Sequence, residues 1–291
     1  MCDNDALDDM LEYKLRSPDL SRREFGAVAL GTGIAMMLPR LGHAAEVKES
    51  EVEIETPDGT ADAYFVHPAK GAAPGVLVWP DIFGLRPAFR SMGKRLAESG
   101  YAVLVINPFY RTKKAPTAPE KPDFQDPATR ASLMQLAGTL NATTAQTDAT
   151  AFVSWLDAQD AVDKKRKIGT SGYCLGGPFT LRTAATFPGR VGAGASFHGG
   201  GLVTDKPESA HLLASKLKAQ FLFAIAQNDD QRQPEAKDAL RDVFAKADVP
   251  AEIEVYPAMH GWCPPDSQVY DEAQAEKAWG RMLALFQKAL A

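Results

Sequence analysis

The sequence predicts an α/β protein: a mostly parallel central sheet with helices on both faces and an antiparallel hairpin at its N-terminal edge. Three observations predict it. Beyond residue 74, short continuous apolar runs alternate with helix-length segments, the pattern of parallel strands buried on both faces and joined by crossover helices. Ahead of them, Glu51-Val52-Glu53-Ile54-Glu55 alternates polar and apolar side chains, as a half-exposed strand does. No long linker or internal repeat divides residues 46–291, so one domain is the simplest account.

The elements follow in order. The strand around Glu51–Glu55 meets a turn at Pro57-Asp58-Gly59, and Ala61–Val66 returns as its hairpin partner. Gly75–Trp79 is apolar throughout, a strand with no solvent face. Pro87–Ser99 carries Phe89, Met92 and Leu96 at helical spacing. Tyr101–Ile106 is a second buried strand. Lys113–Asp126 is rich in proline and charge and reads as a surface loop, after which Ala128–Leu140 and Thr143–Ala158 are helical. Lys167–Thr170 is a short strand, and a helix follows the glycine-rich turn after it. Val191–Phe197, Gln220–Ala226 and Glu252–Tyr256 complete the strands; Glu235–Ala247 and Asp271–Leu290 are the helices between and after them.

Composition excludes several classes. Hydrophobic residues make up 45% and charged residues 24%, which is ordinary globular usage and not that of a disordered or collagen-like chain. A net charge of -5 offers no basic field for a nucleic acid backbone. Three cysteines without a CxxC pair make neither a disulfide scaffold nor a zinc site, and no apolar run reaches the ~18–20 residues of a membrane span.

Residues 1–45 read as an address. Ser21-Arg22-Arg23-Glu24-Phe25 precedes the mildly apolar stretch 26–38, too short to span a bilayer but suited to a signal peptide. The small residues at Gly42-His43-Ala44-Ala45 suit cleavage near Ala44. Paired arginines before such a stretch resemble a twin-arginine signal, so the export machinery is an expected partner and a periplasmic or secreted location the expectation, with no stable membrane insertion after cleavage. An amphipathic helix or an uncleaved anchor is the alternative.

The chemistry-bearing motif is Gly172-Tyr173-Cys174-Leu175-Gly176-Gly177, placed after a strand and before a helix. It has the form G-x-S-x-G with Cys for Ser, a turn too tight for bulky residues two positions either side of the nucleophile. Such a turn sets the side chain at the sheet's carboxyl edge, over a helix N-terminus that favours a thiolate and an oxyanion. It lacks the Lys-Ser/Thr of a phosphate-binding P-loop; a packed structural cysteine is the other reading. The expected partners follow in the order nucleophile, acid, histidine. Asp229 and Asp230 lie just after the strand ending at Ala226, and His260 just after the one ending at Tyr256. His260 would accept the thiol proton, with Asp229, or its neighbour Asp230, fixing the tautomer. His198, after the strand at Val191, is the competing histidine. Pro80-Asp81-Ile82-Phe83-Gly84, after the strand Gly75–Trp79, is placed to give an oxyanion hole from the backbone N–H groups of Ile82 and Leu175.

Assembled, these motifs and His260-Gly261-Trp262 resemble the dienelactone hydrolase family, over roughly residues 50–290. The resemblance implies an α/β-hydrolase fold and hydrolysis of a small-molecule carboxylic ester or lactone through a Cys-His-Asp triad and a thioester acyl-enzyme, with no metal or organic cofactor. In the family a glutamate of the early loop pairs with the thiol; the matching position here is Asp81, one methylene shorter. Family arginines hold a substrate carboxylate. Arg111 matches one of them in position, and the second, a few residues after the histidine, is missing from Trp262-Cys263-Pro264-Pro265. Trp79 and Trp262 are expected to line the pocket. Cys263 lies three residues past His260, and a disulfide or a redox-protected pair with Cys174 is an alternative in an oxidising compartment. Two other readings compete with the enzyme: a catalytically silent scaffold that binds a ligand, and a thiol redox protein using Cys174 and Cys263.

Replacing Arg22 and Arg23 together by lysine is expected to stop export, read by cell fractionation. A normal periplasmic yield from that double variant would overturn the signal assignment.

Overall fold

The computed structural model describes residues 45–120 and 122–291; the signal assigned to residues 1–45 lies, but for Ala45, outside the described residues. Eight strands form a single sheet in the order β1-β2-β4-β3-β5-β6-β7-β8. They are β1 (Val47–Thr56), β2 (Gly59–Pro68), β3 (Gly75–Trp79), β4 (Ala102–Ile106), β5 (Ile168–Tyr173), β6 (Val191–Phe197), β7 (Gln220–Ala226) and β8 (Ala251–Tyr256). β1 pairs antiparallel with β2, and β2 antiparallel with β4; every other pairing is parallel. The expected hairpin therefore forms one edge of a parallel sheet.

The helices are α1 (Pro87–Glu98), α2 (Pro127–Ala137), α3 (Ala142–Ala158), α4 (Gly177–Thr186), α5 (Gln227–Arg232), α6 (Ala236–Lys246) and α7 (Glu272–Ala289). Their starts are written locally. Pro87 and Pro127 sit at first-turn positions, where the missing N–H costs nothing. Asn141 and Thr144 make a reciprocal capping box, and the Asp126 and Asp271 carboxylates accept the backbone N–H of Thr129 and Gln274.

Alternation along the strands divides the interior into two cores. Leu77, Leu104 and Phe223 face α3, α4 and α6, packing with Phe152, Leu181 and Phe244. Val76, Val103 and Leu222 face α1 and α7, packing with Phe89, Met282 and Phe286. A strand buried on both faces needs apolar residues at every position, which is why β3 and β4 are buried from end to end.

Two departures from the sequence expectation bear on the site. β5 runs on to Tyr173 rather than stopping at Thr170, because β3 and β6 supply hydrogen-bonding partners on both sides of Ser171 and Gly172 despite their weak strand propensity. Asp229 and Asp230 stand in the short helix α5, not in a loop.

Strand order reverses around β3, which lies between β4 and β5. The chain leaves β3 towards β4 and later crosses to β5, so the turns after β3 and β5 open side by side at the carboxyl edge, where such sheets place their sites. Elsewhere, the fully buried Asp148 of α3 is held by Arg111 (2.6 and 2.9 Å) and by the Tyr110 hydroxyl (2.7 Å). Arg111 also grips Asp58 in the hairpin turn, at 2.6 Å, so it ties β1 and β2 to a helix. Burial pushes the Asp148 carboxyl up against the opposing pull of Arg111. Removing the guanidinium would strand a buried charge, a loss of about 3 kcal/mol. Arg111→Met is therefore expected to lower unfolding free energy by roughly that amount in urea, with KM for a neutral ester unchanged in the folded fraction. A raised KM with unaltered stability would show the opposite role.

Candidate active site

Cys174 directly follows β5 at a backbone φ of 50°, a left-handed conformation that a non-glycine residue adopts at a cost. With Leu175 and Gly176 it forms a single 3-10 turn, Cys174–Gly176, that runs directly into α4. The two flanking glycines are steric necessities. A Cβ at Gly172 would lie 2.1 Å from the Gly176 carbonyl oxygen, and one at Gly176 would lie 2.3 Å from that of Trp79. Both obstacles are backbone and cannot move aside. The N-terminus of α4 follows immediately behind the sulfur and favours negative charge there.

His260 comes from the turn after β8. Its Nδ1 lies 2.7 Å from Asp229 Oδ2, and its backbone N–H donates to Asn228 Oδ1 at 2.8 Å. Gln227 N–H donates to the Ala258 carbonyl at 2.9 Å, so α5 and the histidine turn are joined at three points. The structure separates the rival acids: Asp230 pairs with Lys237 at 2.6 Å, and Asp229 takes the imidazole.

These groups open onto a cavity of about 320 Å³, lined among others by Ile82, Phe83, Phe124, Cys174, Asp229 and His260. His198 lies on its floor, 1% exposed, with its ring edge-on to His260 at a centroid distance of 4.9 Å. Burial first, and the neighbouring His260 second, push its pKa well below the usual imidazole range, so it stays neutral. It is packed against the histidine that engages the acid and is not itself engaged by one.

Several expected residues sit otherwise than anticipated. Asp81 lines the cavity, but both its carboxylate oxygens are held by Arg86, at 2.7 and 3.0 Å, and one also accepts the Phe83 N–H. The thiol-pairing role implied for it meets a carboxylate already committed to a guanidinium. Burial opposes the charge on Arg86, yet Asp81 and Asp266 together hold it protonated. Arg111 is not among the lining residues; it is spent on Asp148 and Asp58. Trp79 is fully buried beneath the elbow, its indole N–H donating to Thr183 at 3.1 Å, and Trp262 is fully buried between Tyr256 and His198. Both are supports behind the cavity, not its walls. Cys174 and Cys263 are not joined to each other, so the disulfide is not present. Cys263 lines a separate cavity of about 140 Å³, and burial pushes its thiol pKa well up, towards the unreactive form.

Arg86, Asp266, Phe124 and Arg232 were not anticipated from the sequence. Only Arg86 carried a local hint, two residues past the glycine turn at Gly84. Among the described residues, no group of three His, Cys, Asp or Glu side chains is placed to hold a metal ion, and no helix is long and apolar enough to cross a membrane.

A cysteine on a strand–turn–helix bend, with a carboxylate-bound histidine three strands further along a mostly parallel eight-stranded sheet, defines an α/β-hydrolase. The model of the dienelactone hydrolase family matches residues 61–290, and the chain belongs to that family, a family of ester and lactone hydrolases. It is 28% identical over 242 residues to a carboxymethylenebutenolidase of Rhodococcus opacus, covering 80% of this chain and 88% of that one. A provisionally named carboxymethylenebutenolidase of Salmonella typhi is 28% identical over 253 residues, covering 80% and 90%. Among solved structures, a provisionally named dienelactone hydrolase from Klebsiella pneumoniae superposes with a TM-score of 0.73 at 24% identity, covering 84% of this chain and 99% of that one.

The Asp229–His260 contact has a direct spectroscopic consequence. A downfield proton resonance from the shared Nδ1 hydrogen is expected to vanish in Asp229→Asn and to persist in Asp230→Asn. The reverse pattern would exchange the two acids.

Proposed function

We propose that the protein hydrolyses carboxylic esters or lactones through a covalent thioester on Cys174. One observation carries the reading: the His260–Asp229 pair, closed at 2.7 Å, and Cys174 line the same cavity. Cys174 Sγ attacks the carbonyl carbon while His260 Nε2 takes the thiol proton. Asp229, bound at Nδ1, holds the tautomer that leaves Nε2 able to accept it and stabilises the imidazolium that forms. The tetrahedral oxyanion accepts hydrogen bonds from the backbone N–H groups of Ile82 and Leu175, each worth ~2.7–4 kcal/mol by comparison with other such donors. Register between β3 and β5, with Trp79 opposite Gly172, supports this by holding the two turns together.

The intermediate collapses as His260 returns its proton to the departing alkoxide, leaving a thioester. Water, deprotonated by His260, then attacks the thioester carbonyl; the sulfur leaves, recovers the proton, and the acid is released. With a lactone the alcohol stays attached to the acyl chain. The silent-scaffold reading gives no account of a carboxylate-paired imidazole lining the same cavity as a cysteine at positive φ. The redox reading needs Cys174 and Cys263 to meet, and they line different cavities. We further infer that the enzyme works outside the cytoplasm after export through the twin-arginine route, supported by Arg22-Arg23 ahead of the apolar stretch 26–38.

Cys174→Ala is expected to abolish p-nitrophenyl ester turnover with an unchanged circular dichroism spectrum, and wild-type protein quenched in acid during turnover should carry the acyl mass on the peptide containing Cys174. Retained kcat in that variant would refute the mechanism. Activity should fall as the pH drops through the imidazole's titration, since a protonated ring cannot take the thiol proton; a flat profile from ~pH 5 to 8 would count against His260 as base.

A further inference from the structure

Charge in the cavity points to the kind of substrate it accepts. Its described lining carries four carboxylates, from Asp81, Asp123, Asp229 and Asp266, and two guanidiniums, from Arg86 and Arg232. With His198 and His260 neutral, the described lining has a net charge of −2.

Arg86 has no donor to spare for an anion. Arg86 is 7% exposed, and each of its five N–H donors has an acceptor. Nε donates to Asp266 Oδ2 at 2.7 Å. One terminal nitrogen donates to Asp81 Oδ1 at 2.7 Å and to the Gly84 carbonyl at 3.3 Å. The other donates to Asp81 Oδ2 and Asp266 Oδ1, both at 3.0 Å. A guanidinium offers five donors in a fixed fork, so a ligand carboxylate could bind only by displacing an aspartate already there. The Asp81–Arg86–Asp266 group as a whole is an anion, one positive charge between two negative ones. Arg232 lies 3.6 Å from Asp229, the carboxylate that engages His260. A ligand anion drawing Arg232 away would disturb the acid on which the imidazole depends. The rings of Phe83 and Phe124, edge to face at 6.3 Å, also line the cavity; they suit an uncharged or cationic chain and give an anion nothing.

We propose that the site is selective for uncharged and cationic esters or lactones and discriminates against substrates bearing a carboxylate. This deepens the hydrolase reading by naming its substrate class, and it rests on that reading for the word substrate. The field at the sulfur does not depend on it. In a cleft with low-dielectric walls, lining charges of one sign repel a like-charged ligand before it binds.

Two arms test the proposal on the full chain. In the first, Cys174 is modified by methanethiosulfonates of matched size, one carrying trimethylammonium and one sulfonate, with rates normalised to a small free thiol and read by mass spectrometry on the Cys174 peptide. The cationic reagent is expected to react at least about tenfold faster, a difference of about 1.4 kcal/mol. The gap should shrink between ~10 mM and ~0.5 M salt. Asp266→Asn, which removes one charge and the acceptor of one Arg86 donor, should narrow it further. An anionic reagent as fast as the cationic one, or a gap indifferent to salt and to Asp266→Asn, would overturn the proposal.

In the second arm, p-nitrophenyl esters of equal chain length ending in a methyl, a trimethylammonium or a carboxylate group are compared by kcat/KM. The carboxylate ester is expected to be poorest by tenfold or more, and parity among the three would overturn the proposal. Absence of turnover with every ester would instead fault the hydrolase reading, and the thiosulfonate rates would still decide the charge preference.

Discussion

The close approach of three backbone segments at the end of β5 is the constraint on which the rest depends. The Gly176 carbonyl occupies the space where Gly172 would carry a Cβ, and the Trp79 carbonyl occupies that of Gly176. The turn can be this tight only without side chains at those positions, and only this turn holds Cys174 at a φ of 50°. The strain is carried by what surrounds it. β3 and β6 clamp β5 on either side, Trp79 packs beneath against Phe152 and Phe179, and α4 begins without a break. Relaxing the turn would swing the sulfur away from the cavity and the α4 N-terminus from the sulfur, so its stability and its reactivity have a common cause.

Around that bend, the charges nearest the reacting groups are arranged in triads. Asp229 has His260 and Arg232; Arg86 has Asp81 and Asp266. Partly buried charges persist only when so compensated. The consequence is a cavity whose carboxylates outnumber its cations while its buried cation has no donor to spare. The same compensation explains Arg111, which matches a substrate-binding arginine in position yet serves the fold: Asp148, wholly buried in α3, leaves it no freedom. Sequence position and role are thus decoupled by one buried aspartate 37 residues away.

Within the sequence itself lay everything that depends on near neighbours or on strict alternation. The largely apolar runs Gly75–Trp79, Val191–Phe197 and Gln220–Ala226 coincide with β3, β6 and β7 because a strand covered on both faces leaves little room for polar side chains. Gly172-x-Cys174-x-Gly176 was legible because the steric demand is local, and His260 because it follows a strand in a fixed order. Tertiary structure alone decided the rest. It chose Asp229 over Asp230, since the pitch of α5 turns one side chain to the imidazole and the other to Lys237. It carried Trp79 and Trp262 into the core, set Cys263 in a different cavity from Cys174, and bound Asp81 to Arg86. Each of those outcomes turns on which side chain from a distant segment arrives within hydrogen-bonding or van der Waals reach. Periodicity and motif spacing report a residue's own segment, and they carry no record of what the folded chain brings to face it.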